Sequence, residues 1–501
     1  MQSVTEAFKS ASVAITRFPL AKLFVSWTRA FFSGADYFTI GVSSIGGSDP
    51  IKGNNDAITE SDKYEYFDES DYLMSIEMDR YLDEPIFSIA RGTLDVVLDN
   101  NSDRFTPGVD AEIGADIKSK RPLRASLGFK YNGISNLISQ MIALIDEAPK
   151  VDKANRTVTL HAIDYTDALW DYSVERTSLY TTKRTDELLD ILLQDAGLNT
   201  DQYDLDTGFI TIPFAFFNKG DKLGNIITKL CQAEQGMFFI DEDGIFKFWN
   251  REHLANSPHD TSQVTITDEM VISEENPNID TIVNVVEVTA KPRAVVGTDE
   301  SIFDLPDTRE ILAGQTVEVW ANYDNPIYSL VTPTGGVGAS SYYTANTASD
   351  GSGTDKTAQV DLVITNFSTS SKLEFTNNDA GTVHLTELII FGKPAKVTQE
   401  LYLRKTDDTS IADYEEHPVT IENDYIQNNA TAADIANSII ANRKDPAGYL
   451  KIKIIALPHL QLGDLITRNS TEYFVIRIKT KFTPQDGFIQ ELTLVNRTIA
   501  T

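Results

Sequence analysis

The chain has 501 residues, 41% of them hydrophobic, which is enough to core several domains. Lysine and arginine number 43 against 74 acids, a formal net charge of −31, so the surface repels nucleic-acid phosphate and specific DNA or RNA binding by counterion release is excluded as the main activity. The one cysteine, Cys231, excludes an internal disulfide framework and fits folding in a reducing cytoplasm.

Residues 1 to about 165 read mainly as β. The N-terminal stretch MQSVTEAFKSASVAITRFPLAKLFVSW is broken by Lys9, Arg17 and Lys22 and lacks a small-residue cleavage site, so it does not read as a signal peptide. No segment reaches the ~18 apolar residues of a membrane helix, and no stable membrane anchor is expected. LFVSWTRAFF, YFTIGVSSI, YLMSIEMDRYL, TLDVVLD, LRASLGFKY and TVTLHAIDY are short β-branched and aromatic runs split by Gly, Asp, Asn and Pro. In the acidic patch at 62–79, Glu77 and Asp79 alternate with Ile76 and Met78, as on a half-solvated strand.

Between 166 and about 270 the period changes. Thr185 is a candidate N-cap, with Leu188, Ile191 and Leu192 on one helical face and Gly197 at C′. Leu223, Ile226, Ile227, Leu230 and Cys231 follow helical spacing, with Gly236 as the stop. MFFIDEDGIFKFW predicts a hairpin with positive φ at Asp243 and Gly244. After the Glu274–Asn278 break β character returns in IVNVVEVTAKP. Residues 311–393 are rich in Thr, Ser, Asn and Gly and predict an inserted β-sandwich-like block. Residues 394–501 predict one helix, with Thr431 and Asp434 as an acidic capping box, Ala432, Ile435 and Ile439 as its face and Asp445-Pro446 as its end. Strands LKIKIIA, EYFVIRIKTKF and FIQELTLV follow it.

Catalytic and metal signatures are weak. Gly335-Gly336-Val337-Gly338 lacks the strand-to-helix context of a phosphate loop, and Gly41-Val42-Ser43-Ser44-Ile45 breaks the nucleophile-elbow pattern. The six histidines are scattered without zinc-ligand spacing. Cys231 lies on an apolar helix face and reads as a core thiol. Acids are plentiful, but nothing singles out a glycosidase pair. No catalytic residue, cofactor or metal is assigned, and the chain reads as no enzyme.

RGTLDVVLDNNSDRFTPG, residues 91–108, offers one sharper choice. Asp99, Asn101 and Asp103 match the first three ligand positions of an EF-hand loop, but Arg104 stands where that loop needs glycine and a strand precedes it. The favoured reading is an Asx-turn at a strand end, with Phe105 and Pro107 anchoring the chain beyond it.

The same stretch resembles a segment near the start of tail-hub proteins of long-tailed bacteriophages, the minor tail or tail-associated proteins similar to the T-even phage baseplate hub. TVTLHAIDYTDALWDY, with Asp164 and Leu169, DKLGNIITKLCQAEQGMFFIDEDGIFKFWNR, IVNVVEV, the helix-strand element ending in Leu462-Gly463-Asp464, and FVIRIKTKFTPQDGFIQELTL resemble later family segments in the family's order. The resemblance is spread over most of the chain and is thinnest at 311–393.

It implies a β-rich α+β multidomain fold: an N-terminal arm and first tail-tube-like β-barrel domain (1–165), a small α/β domain (166–270), and a second tube-like domain (271–310 plus 394–501) that holds the 311–393 insert. The function implied is a homotrimeric hub in the virion, at the tail tip. It would be made in the host cytoplasm, adapt a six-fold tube to a three-fold tip and line the DNA exit channel without binding the DNA. Implied partners are the distal tail or tail tube protein, the tape-measure protein, and tail fibres or a receptor-binding protein. The alternative is a host-surface binding protein whose 311–393 block contacts carbohydrate through Trp320, Tyr323 and Tyr342, beside Tyr328 and Tyr343; the same aromatics could instead fill the core of the block.

Overall fold

The computed structural model describes residues 1–13, 18–27, 66–82, 90–131, 133–275, 282–445 and 448–497. The strand expected at YFTIGVSSI, the Gly41–Ile45 segment, the end of LFVSWTRAFF, the start of the acidic patch, Asn276-Pro277-Asn278 and Pro446 lie outside the described residues.

The main element is a 14-stranded sheet to which both ends of the chain contribute. Its path runs Val271–Glu275, Tyr449–Ile455, Gly487–Asn496, Thr471–Thr483, Leu73–Tyr81, Thr93–Asp99, Thr157–Asp164, Ile134–Ile145, Pro122–Tyr131, Pro19–Val25 and Phe67–Asp68. Leu73–Tyr81 pairs antiparallel with Thr471–Thr483, from Ile76 opposite Phe482 to Tyr81 opposite Arg477. Ile76 and Met78 are buried on this seam. On the wetter face Glu77 meets Lys479 at 2.8 Å and the Asp79 carboxylate accepts from Arg477 Nε at 2.8 Å, as the period-2 pattern requires. Ile134–Ile145, absent from the expected strands, is a long central strand; its register shifts at a bulge opposite Ala125 and Ser126.

The two tube-like barrels expected are not found: among the described residues none of the sheets closes into a barrel. The outermost strands, Phe67–Asp68 and Val271–Glu275, stand at opposite ends of the open sheet. The seam draws strands of both expected barrels into that one sheet. Val285–Ala290 instead pairs with Leu401–Thr406 and Pro418–Asn423 in a separate three-stranded sheet covered by the helix Asn429–Arg443.

The middle segment packs helices Thr185–Asp195 and Leu223–Glu234 with the hairpin Met237–Ile240 and Phe246–Trp249 around one apolar cluster. In the insert, the three-stranded sheet of Thr316–Asn322, Ser370–Asn377 and Val360–Asn366 faces a seven-stranded one built on Val383–Val397. That long strand also pairs with Arg293–Val295, so the pairing runs from 293 to 397.

Several helix ends differ from the expected ones. Arg184, not Thr185, is the cap: Glu187 Oε2 accepts from Arg184 N at 2.9 Å, and the Thr185 hydroxyl turns inward to donate to buried Glu234 at 3.0 Å. After Leu223–Glu234 it is Gln235 that goes left-handed (φ 60°), while Gly236 is needed because a Cβ there would meet Phe248 and the Trp249 carbonyl at 2.7 Å. At the hairpin only Gly244 takes positive φ (82°), because Asp241 Oδ1 holds the turn by accepting from Asp243 N and Ile245 N. Asn428 caps the late helix by accepting from Thr431 N at 2.8 Å, which moves Thr431 into the first turn. A second helix in that block, Asp408–Tyr414, has Asp407 as its cap.

Candidate functional site

Without an assigned reaction centre, the sites of interest are the two turns and the aromatic block singled out by the sequence. The first begins where Thr93–Asp99 ends. Asp99 Oδ1 accepts from Asn101 N at 2.9 Å, the geometry of an Asx-turn. Asp103 adopts φ 57°, and its carbonyl accepts from Thr106 N at 3.1 Å. Asn100 is buried and carries the corner: its Oδ1 accepts from Phe105 N at 2.8 Å, its Nδ2 donates to Thr106 Oγ1 at 3.0 Å, and its N–H donates to Arg156 O at 2.8 Å.

Phe105 is fully buried between Trp27 and Tyr72, with ring centroids at 6.1 and 5.2 Å. Pro107 is exposed, so of the two expected anchors Phe105 is the buried one. Arg104 reaches back to buried Glu69 with two hydrogen bonds, Nε to Oε2 at 3.0 Å and Nη2 to Oε1 at 2.9 Å. Glu69 Oε1 also accepts from Trp27 Nε1 at 3.0 Å. This pairing with Glu69, helped by Glu112 and Asp110, holds the guanidinium pKa far above its ordinary value. The site is a charged clasp between a strand end and a helical turn. Among the described residues, no group of three or more His, Cys, Asp or Glu side chains is arranged to hold a metal ion.

The second turn, Leu462-Gly463-Asp464, is set in the core. Leu462 joins the apolar cluster around Leu254, Leu457 and Leu465. Gly463 has φ 76°, and a Cβ on it would come within 2.6 Å of the Trp249 ring, so both conformation and space demand glycine. Its carbonyl lies 2.6 Å from His259 Nδ1, which must therefore carry the proton and donate. Burial lowers the His259 pKa to about 4. Asp464 is fully buried; its Oδ2 accepts from Gln461 N at 2.6 Å and its Oδ1 pairs with the Met1 amine. Burial raises its pKa, and the amine opposes that shift.

Around this turn the fold gathers histidines that looked scattered in the sequence. His253 stacks on Trp249 at 4.1 Å, His259 lies 5.1 Å from His253, and His253 Nδ1 meets Asp206 Oδ2 at 2.6 Å. Cys231 is buried on its helix face, and burial pushes its thiol pKa up.

The aromatics of the insert do not converge. Tyr323 is buried, its hydroxyl donating to Ser371 Oγ at 2.8 Å. Tyr343 is buried as well and donates to Val360 O at 2.7 Å. Its neighbour Tyr342 points the other way, on the outer face of the seven-stranded sheet, by strand alternation. Trp320 lies on the outer face of the opposite sheet, stacked on Phe367 at 6.0 Å and covered by the Arg176 guanidinium at 4.2 Å. Trp320 and Tyr342 thus face away from each other.

Sequence reasoning missed Glu69 and Trp27 at the corner, and Trp249, His259 and Gln461 at the second turn; Asn100 lay within the expected Asx turn but was not singled out. Asn100 and Glu69 had a signal, the one in the Asx run and the other in the acidic patch.

No family model and no curated protein matches the chain. The structural neighbours are phage tail proteins and related machinery. The 43 kDa tail protein of prophage MuSo2 from Shewanella oneidensis is similar over 87% of this chain and 96% of its own, at 10% identity and a TM-score of 0.47. The tail protein from Neisseria meningitidis MC58 is similar over 87% and 95%, at 10% identity and a TM-score of 0.46. A component of the type VI secretion system from E. coli is similar over 85% and 73%, at 8% identity and a TM-score of 0.38.

Proposed function

We propose that the chain is a structural, non-enzymatic component of a phage tail, the hub at its distal tip. The ordered series of hub-like segments supports this reading, and one observation carries it. The first and last β regions of the chain meet in a single sheet along the Leu73–Tyr81 seam, and among the described residues its outermost strands have no further partner in the sheet. Open sheet edges are aggregation hazards unless another strand covers them. Three chains in a ring can cover one another's edges and present two β regions each to a six-fold tube.

On this proposal the chain is a homotrimer in the virion, made in the host cytoplasm. It contacts the distal tail or tube protein above, the tape-measure protein inside, and fibres or a receptor-binding protein outside. The net charge of −31 gives a lumen along which DNA slides without adhering. Light scattering on the purified chain, alone and mixed with its tube protein, tests the assembly. A trimer in either sample is the expected result, and a strict monomer in both overturns it. A tail-tip map with a neutral or basic channel would overturn the lumen assignment.

A further inference from the structure

A cleft of about 540 Å³ opens at the junction of the middle segment, the turn before the late helix and the base of the insert. Its walls are aromatic: Trp170, Phe214, Phe216 and Tyr425. Gly224 lets Trp170 sit close, since a Cβ there would fall 2.6 Å from its ring, and the Arg91 guanidinium lies 4.0 Å from that ring. Gln427 holds the Phe214 backbone from both sides, accepting from its N–H at 3.1 Å and donating to its carbonyl at 2.7 Å.

Positive charge is in excess there. One carboxylate, Asp424, takes Lys229 at 3.1 Å and Lys291 at 3.2 Å. Arg293, half-buried beside them, spends one donor on Ala395 O at 3.1 Å and lies over the Phe216 ring at 5.3 Å. Among the described residues no carboxylate stands at ion-pair distance from it: Asp424 pairs with the two lysines and reaches Arg293 only through its longer-range charge. Burial lowers its pKa, with Asp424 the opposing charge. A guanidinium that is desolvated and short of a carboxylate is costly unless something completes it.

We infer that this cleft binds an acidic peptide segment, whose side-chain carboxylate pairs with Arg293 while an adjacent aromatic or aliphatic side chain lies against Phe216 and Trp170. A singly charged carboxylate fits better than a phosphate, because Asp221 and Asp424 are both on the walls and would repel a second negative charge. Size and junction position suit a peptide side-chain pair. The inference stands apart from the hub reading, since it asks only what the cleft takes.

The test uses the full chain and a fluorescein-labelled peptide of four Glu-Phe-Gly repeats, its Gln-Phe-Gly counterpart, and a labelled oligo-dT of similar length, read by anisotropy. The acidic peptide should bind about tenfold or more tightly than the amide peptide, the worth of one charge-assisted contact. Arg293→Gln should cost a similar factor, and Lys229→Gln, at a more exposed position, about two- to threefold. The peptide comparison needs only the unaltered chain, so a misfolded variant cannot mask the answer. Equal binding of the two peptides, no binding of either at about 1 mM, or preference for oligo-dT each overturns the proposal, the last in favour of a nucleic acid.

Discussion

The corner at 99–107 and the turn at 462–464 do the same job in opposite ways. Both reverse the chain at a strand end, and both put a polar side chain into the interior. The corner is specified largely by its own residues, with Asp99, Asn100 and Asp103 bonding backbone within a few positions. The second turn is specified from afar: Trp249, His259 and Met1 come from more than 200 positions away. The difference teaches that a turn written in Asx residues is legible locally, whereas one made of a bare glycine is defined by what crowds it.

The comparison can be broken most sharply at its apolar pivot. Phe105→Ala removes a fully buried ring and should cost about 3–5 kcal/mol. Hydrogen exchange should rise in peptides spanning 93–108 and in those holding Trp27 and Tyr72, while the 459–476 peptides stay protected. Gly463→Ala meets both a left-handed backbone and the Trp249 ring and should cost about 2–4 kcal/mol. Its exchange signature is the reverse, appearing at 237–266 and 459–476 and sparing the corner.

Acid separates the two turns. Burial holds His259 and His459 at about 4 against ~6.5 unfolded. Between those values the unfolded chain binds more protons, so this stabilisation is full above pH 6.5 and falls as pH drops towards 4. Local protection at 459–476 should weaken from pH 7.5 to 5, and His259→Gln should flatten that slope, while the corner has no histidine within it. An unchanged slope in the variant would remove His259 from the account. Asn100→Ala leaves the buried Phe105 N–H unpaired and should cost about 1–3 kcal/mol, confined to the corner. The smallest effect belongs to the solvated seam: Arg477→Ala, which removes the guanidinium that bonds Asp79 diagonally across the seam, should cost about 0.2–1 kcal/mol and less at high salt, measured by thermal melts.

Much of the local fold was legible. The alternation through Ile76, Glu77, Met78 and Asp79 gave a strand with its faces assigned, and Leu223 to Cys231 gave a helix with its buried stripe. Caps were read less well, because Thr185, Thr431 and Gly236 are each one to three residues from the group that holds the helix end. The Asp408–Tyr414 helix was missed since seven residues carry too little period. At the sites, Arg104 and Asp464 were marked but their partners were not, because a bidentate carboxylate or a buried donor leaves no trace in spacing.

By itself the sequence determined the strand-rich character, the acidic surface, the Asx corner and the helix faces, because these depend on residues a few positions apart. The tertiary structure alone decided that the two β regions share one open sheet instead of forming two barrels. It also decided that Tyr323 and Tyr343 are spent in the insert core, that two histidines meet at Trp249, and that Arg293 lines a cleft where, among the described residues, no carboxylate stands at ion-pair distance from it. Each of these depends on which distant surfaces meet, and burial, register and ion pairing between distant segments are fixed only when the whole chain has packed.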